Sequence, residues 1–180
     1  MSSIERIINE FKDQRKNLIL NGCILFGLAN DNDYSLWDGT LIGPKDTPYN
    51  KGLFILSIEF PEGYPLKAPI VYFKTPIYHL NINPKAQRSP EDIPLGYVSI
   101  STLIYWKPEY SIRELLINIY GLLYHPNPES PYGINRAKEF IENRGIYEEK
   151  VKHFTFKYAN SNKIMIYKYS DRTKDWDFEL

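Results

Sequence analysis

A single cysteine, Cys23, is all that 180 residues supply. One thiol cannot form an internal disulfide or assemble a cysteine-rich zinc site, and it suits a reducing compartment such as cytosol or nucleus. Charge of one sign is lacking too: 22 Lys plus Arg face 22 Asp plus Glu. Bulk attraction to nucleic acid or to an anionic membrane surface is thereby excluded, and any charged contact has to be local. No apolar run approaches the roughly 18 residues of a membrane span. The N-terminal MSSIERIINEFKDQRK sets acidic residues among its apolar ones, so neither a signal peptide nor an anchor is expected. Internal repeats and low-complexity tracts are missing, and no metal or cofactor is expected.

What is present points to a mixed fold. The length suits one hydrophobic core with an appendage, and 15 tyrosines with 13 prolines suit strands joined by ordered loops better than a helical bundle. Ser2 and Glu5 have capping-box spacing, and Ile4, Ile7, Ile8 and Phe11 follow at helical intervals. CILFGL, the turn cluster Asn30 to Asp33, and SLWDGTLIG predict a hairpin; LFILSIEF puts Phe54, Leu56, Ile58 and Phe60 on one strand face; IVYFK after the proline loop PEGYPLKAP predicts a fourth strand. Ser111 and Glu114 repeat the capping box ahead of Ile112, Leu115, Leu116, Ile119, Leu122 and Leu123. Two further helices are predicted over Pro131 to Ile141 and Tyr147 to Ala159. The fold class is α+β: an N-terminal helix, a four-stranded antiparallel meander, then three helices. The core domain is expected over residues 1–160, with a tail of unassigned role over 161–180.

The stretch from Tyr78 to Trp106 carries the chemistry. His79 and Asn81 stand two residues apart, a polar proline-bearing loop follows, and Ser99 enters an apolar run. This order of elements, with the words LWDGTLIGPKDTPYNKGLF, FPEGYPLKAPIVYFKTPIYHLNIN and YWKPEYSIRELLINIYGLLYHPNPESP, and HFTFKYA near the end, resembles the ubiquitin-conjugating enzyme family across roughly residues 4–160. The resemblance implies the family's fold and a role in ubiquitin or ubiquitin-like conjugation, in which the modifier is carried as a thioester and passed to a lysine. The implied partners are the modifier, an activating enzyme, a ligase and an active conjugating enzyme.

Residue by residue, His79, Leu80 and Asn81 match the family's His-Pro-Asn triplet with leucine in place of proline. The resemblance gives the histidine the turn and the asparagine amide the oxyanion; as a plain turn residue, Asn81 would satisfy its own backbone. Gly96, Tyr97, Val98, Ser99 and Ile100 match the word that holds the family's catalytic cysteine, so Ser99 stands in the cysteine's place. His79 and Ser99 lie 20 positions apart, about twice the family spacing, which marks residues 84–93 as an insertion. Ser130 matches the position that guides the incoming lysine. Leu66 and Pro108 match loop positions that touch the ligase, with Arg6 and Lys12 on the first helix as further docking points or as a solvated face.

A thiol with a pKa of about 8.5 yields some thiolate at neutral pH, whereas a serine hydroxyl needs a base. Three readings follow. The chain is a variant that binds ubiquitin and partners without carrying ubiquitin covalently. Alternatively it is a genuine conjugating enzyme in which Ser99 is an engineered or divergent replacement. The third, a serine hydrolase using Ser99 with His79 or His125, lacks a Gly-x-Ser-x-Gly elbow and an orienting carboxylate.

Overall fold

The structure, a computed structural model, describes residues 2–16, 19, 23–84, 94–160 and 163–164. Helix α1 spans Ser3–Lys16 and opens on the expected box: the Ser2 N–H donates to Glu5 Oε2 at 2.8 Å and the Glu5 N–H to Ser2 Oγ at 3.3 Å. It buries Ile7 and Phe11, while Ile4 in the first turn stays about half exposed. Strands β1 (Ile24–Asn30), β2 (Asp33–Ile42), β3 (Leu53–Glu59) and β4 (Ile70–Phe73) pair antiparallel in sequence order. The registers Ile24↔Leu41, Ile42↔Leu53 and Leu56↔Phe73 carry the alternating residues of β3 onto the inner face, where Phe54, Leu56 and Ile58 are fully buried. On the other face, buried Ser57 donates to Asp38, which also takes Lys74 at 2.6 Å.

Cys23 is the turn residue before β1, not part of it, and is half-buried. The helical half differs in one element from the expected three. A single turn, α2 (Ser101–Ile104), comes between the sheet and α3 (Ile112–Tyr124), followed by α4 (Ile134–Glu142) and α5 (Arg144–Tyr158). α3 carries its full capping box and buries all six of the expected apolar residues. α5 starts earlier than its apolar stripe predicts and buries Tyr147, Val151, Phe154 and Tyr158. Two residues, β5 (Ala159–Asn160), pair antiparallel with β6 (Lys163–Ile164). The rest of the tail, and residues 85–93 of the insertion, lie outside the described residues. Among the described residues, no helix is long and apolar enough to cross a membrane.

A line of edge-on rings crosses the core from α1: Phe11 to Trp37 (5.2 Å), Trp37 to Phe60 (4.8 Å) and Phe60 to Tyr64 (4.9 Å), with Trp106 tilted beyond at 6.0 Å. Glu10 fastens this end. Its Oε1 accepts from Tyr64 Oη at 2.8 Å and Arg6 Nε at 2.9 Å, and its Oε2 accepts from the Ile112 N–H at 2.6 Å, a first-turn amide of α3. Glu10→Ala strands these donors, so a loss of about 2 kcal/mol is expected in denaturant unfolding. Lys152→Ala, at an exposed ion pair with Glu149, serves as the control and should change stability by less than about 0.5 kcal/mol. Equal losses in the two variants would refute the fastening role.

Candidate active site

The site is built on the turn His79–Ile82, closed by the Ile82 N–H donating to His79 O at 3.3 Å. His79 is fully buried under α3. Its Nδ1 accepts the Asn81 N–H at 3.0 Å, so the ring proton sits on Nε2 and is donated to Leu122 O at 3.0 Å. Burial pushes its pKa down to about 4; the Leu122 hydrogen bond opposes this and the nearby Arg136 charge adds to it. The imidazole is therefore neutral at physiological pH, with both nitrogens occupied.

Asn81 is equally buried and joins three segments. Its Nδ2 donates to Asn127 O (2.7 Å) and Ser130 O (2.9 Å), its Oδ1 accepts the Asn127 N–H (2.8 Å), and its carbonyl accepts the Ser99 N–H (2.9 Å). Both amide hydrogens are thus given to loop carbonyls. Ser99 lies just past the Ile82↔Val98 bridge and just before α2, half-buried. Among the described residues no histidine or carboxylate is hydrogen-bonded to its hydroxyl, which leaves a triad without its base. Ser130 is half-buried and reaches the turn through its carbonyl.

The return of the chain to Ser99 is clamped where the insertion begins and ends. Asn83 exchanges backbone bonds with Gly96 and Tyr97 (2.8 and 2.9 Å), and Asn83 Nδ2 donates to Pro94 O at 3.1 Å. Gly96 has φ +81°, and its carbonyl accepts the Phe73 N–H at 2.9 Å on the edge of β4.

His79, Asn81, Ser99 and Ser130 are therefore brought together. The expected docking residues lie elsewhere, around Trp106, whose Nε1 donates to Pro65 O at 2.8 Å and so joins the loop of Leu66 to that of Pro108. Leu66 is 81% exposed, Pro108 half-buried and Lys12 exposed. Arg6 is turned inward instead: besides Glu10, it donates to Tyr110 O at 2.8 Å and lies over the Tyr64 ring. It therefore spends its guanidinium within the fold.

Residues that the sequence reading did not single out complete the turn. Arg136 of α4 donates to His79 O at 2.8 Å and Ile82 O at 3.4 Å, the Tyr147 hydroxyl accepts the Leu80 N–H at 3.2 Å, and the Tyr132 N–H donates to Leu80 O at 2.8 Å. The available signal was Leu80, because a residue in proline's place brings an N–H that must find a partner.

A family model described as ubiquitin-conjugating enzyme matches residues 6–155. The chain is 36% identical over 139 residues to a probable ubiquitin-conjugating enzyme E2 31 of Arabidopsis thaliana, covering 76% of this chain and 84% of that one. It is 36% identical over 132 residues to ubiquitin-conjugating enzyme E2 15 of Schizosaccharomyces pombe, covering 70% of this chain and 78% of that one.

Proposed function

The chain belongs to the ubiquitin-conjugating enzyme family, and from that membership we propose that it works in ubiquitin or ubiquitin-like conjugation as a binding member that forms no thioester. One observation supports this reading: Ser99, tied to the turn by its N–H to Asn81 O, carries a hydroxyl to which no histidine or carboxylate among the described residues is hydrogen-bonded. The one histidine of the turn is neutral, buried and bonded at both nitrogens. An unactivated hydroxyl remains protonated at pH 7, and an ester formed there would resist aminolysis far better than a thioester. Cys23 lies ahead of β1, at the edge of the sheet opposite β4, to which the Ser99 segment is stitched, and so is not placed to substitute. Ubiquitin, an activating enzyme and a ligase are the partners that the family implies, with Leu66, Pro108 and Lys12 as docking points for the last two. An active conjugating enzyme would supply the missing thiol.

A second reading, a genuine transferase with serine in the cysteine's place, is favoured by the family match over residues 6–155 and by the retained Asn81, whose carbonyl accepts the Ser99 N–H. Incubation with activating enzyme, ATP and ubiquitin separates the two. The chain as it stands is expected to give no adduct, to bind ubiquitin in titration, and to stay unloaded after Ser99→Cys. A thiol-labile adduct on the Ser99→Cys protein would establish the second reading. A hydroxide-labile, thiol-resistant adduct on the unaltered chain would overturn the first, because it requires ester formation at Ser99.

A further inference from the structure

We propose that Arg136 is a positioning residue for the His79–Leu80–Asn81 turn and that, with Tyr147, it does the work a proline would do at position 80. The inference rests on the reading of that turn as the family's lysine-transfer site. Proline fixes a turn by locking φ and removing an N–H. Leu80 does neither: the chain at this point has one more soft dihedral and one more donor to satisfy, in a place where Leu80 itself is fully buried.

Two helices meet that need from behind. From α5, the Tyr147 hydroxyl accepts the Leu80 N–H at 3.2 Å. Fully buried Tyr49 donates its hydroxyl to Tyr78 O at 2.9 Å, so the carbonyl of the residue before His79 is held as well. From α4, Arg136 spans the turn by donating to the first and the last of its carbonyls, His79 O and Ile82 O. Its guanidinium lies over the Tyr78 ring at 5.4 Å, and Tyr78 Oη donates to Glu139, one helical turn along α4. A neutral side chain of similar length could fill the space. It could not donate to the two carbonyls, which both take a hydrogen from Nη1 while the guanidinium plane lies over Tyr78. What Arg136 fixes is then passed on by Asn81 to Ser99, Asn127 and Ser130.

The test uses the full chain. Arg136→Met and Arg136→Lys are made both on the unaltered protein and on a Ser99→Cys background. In the latter, the lysine nitrogen attacks the thioester carbonyl, the C–S bond breaks, and the amine proton passes to solvent. Hydrogen exchange on the unaltered background is expected to quicken at least tenfold for the amides of Leu80, Asn81 and Ser99 in Arg136→Met, with partial recovery in Arg136→Lys. The amides of Trp37 and Leu41 should be unmoved. If the Ser99→Cys protein loads with ubiquitin, its single-turnover discharge to free lysine should slow about tenfold or more in Arg136→Met while loading stays within about twofold. Unchanged exchange at the three turn amides overturns the proposal. So does a loss of protection spread over the sheet in step with the melting temperature, which would make Arg136 a core residue only. If Ser99→Cys does not load, exchange alone decides the role of Arg136, and the transferase reading falls separately.

Discussion

Replacing Gly96 by alanine is expected to destabilise the protein by about 3 kcal/mol, a fall in melting temperature of roughly 6 to 12 °C for a chain of this size. Two costs combine. At φ +81° any Cβ occupies the left-handed region, and here it would sit 2.0 Å from Phe73 O, a backbone atom that cannot swing away. The clash is at the one place where the chain, having left at Asn83, is stitched back to β4 by the Phe73 N–H and to Asn83 by the Gly96 N–H. Relief requires residues 94–99 to move off the sheet edge, and Ser99 moves with them. The unfolding experiment should therefore be run beside amide exchange at Val98 and Ser99, which is expected to quicken more than exchange in α5. Gly121→Ala is the matched control: it lies within α3 with nothing inside 4 Å of the added carbon, so it should gain about 0.5 to 1 kcal/mol. A Gly96→Ala protein that melts within about 1 °C of the parent would refute the clamp.

The parts of this architecture that could be read in advance are those whose cause is local. Ser2 with Glu5 and Ser111 with Glu114 form their boxes within one turn, and Phe54, Leu56 and Ile58 alternate within one strand, so each pattern contains its own explanation. The meeting of His79, Asn81, Ser99 and Ser130 came instead from family likeness, since no periodicity joins residues 51 positions apart. What escaped has causes distant in the chain. Arg6 looks like a solvated basic residue until Tyr110 O, 104 positions on, arrives to receive it. Arg136 follows the same logic: in PYGINRAKEF it reads as one more surface cation, and only the approach of the turn from residue 79 buries it. α2 is a single turn with no side-chain cap, too short to leave a periodic trace. The observed start of α5 at Arg144 reflects its docking, with the Arg144 guanidinium 4.1 Å over the Phe140 ring, and not an apolar signal.

Lowering the pH from 7 to 4 is expected to remove about 3 kcal/mol of stability through His79 alone. In the unfolded chain the imidazole titrates near 6.5, and in the fold burial holds it down to about 4. Above 6.5 neither state is protonated and His79 contributes no pH dependence. Between 6.5 and 4 the unfolded state binds the extra proton, so stability falls as the pH falls; below 4 both states carry it and the loss is complete. Full burial means that solvent does not screen this penalty. The structural route of the damage is equally specific. A proton on Nδ1 would face the Asn81 N–H, turning an acceptor into a second donor and breaking the 3.0 Å bond that sets Asn81. Acid should therefore loosen Asn127, Ser130 and Ser99 before the sheet responds. Denaturant midpoints from pH 7.5 to 4.5 for the parent and for His79→Gln provide the measurement. Contributions common to the two proteins cancel in the difference. His79→Gln should be the less stable at pH 7.5, and the gap should narrow by about 2 to 3 kcal/mol towards pH 4.5. Parallel curves over that range would mean that His79 is neither as deeply buried nor as firmly neutral as its two hydrogen bonds require.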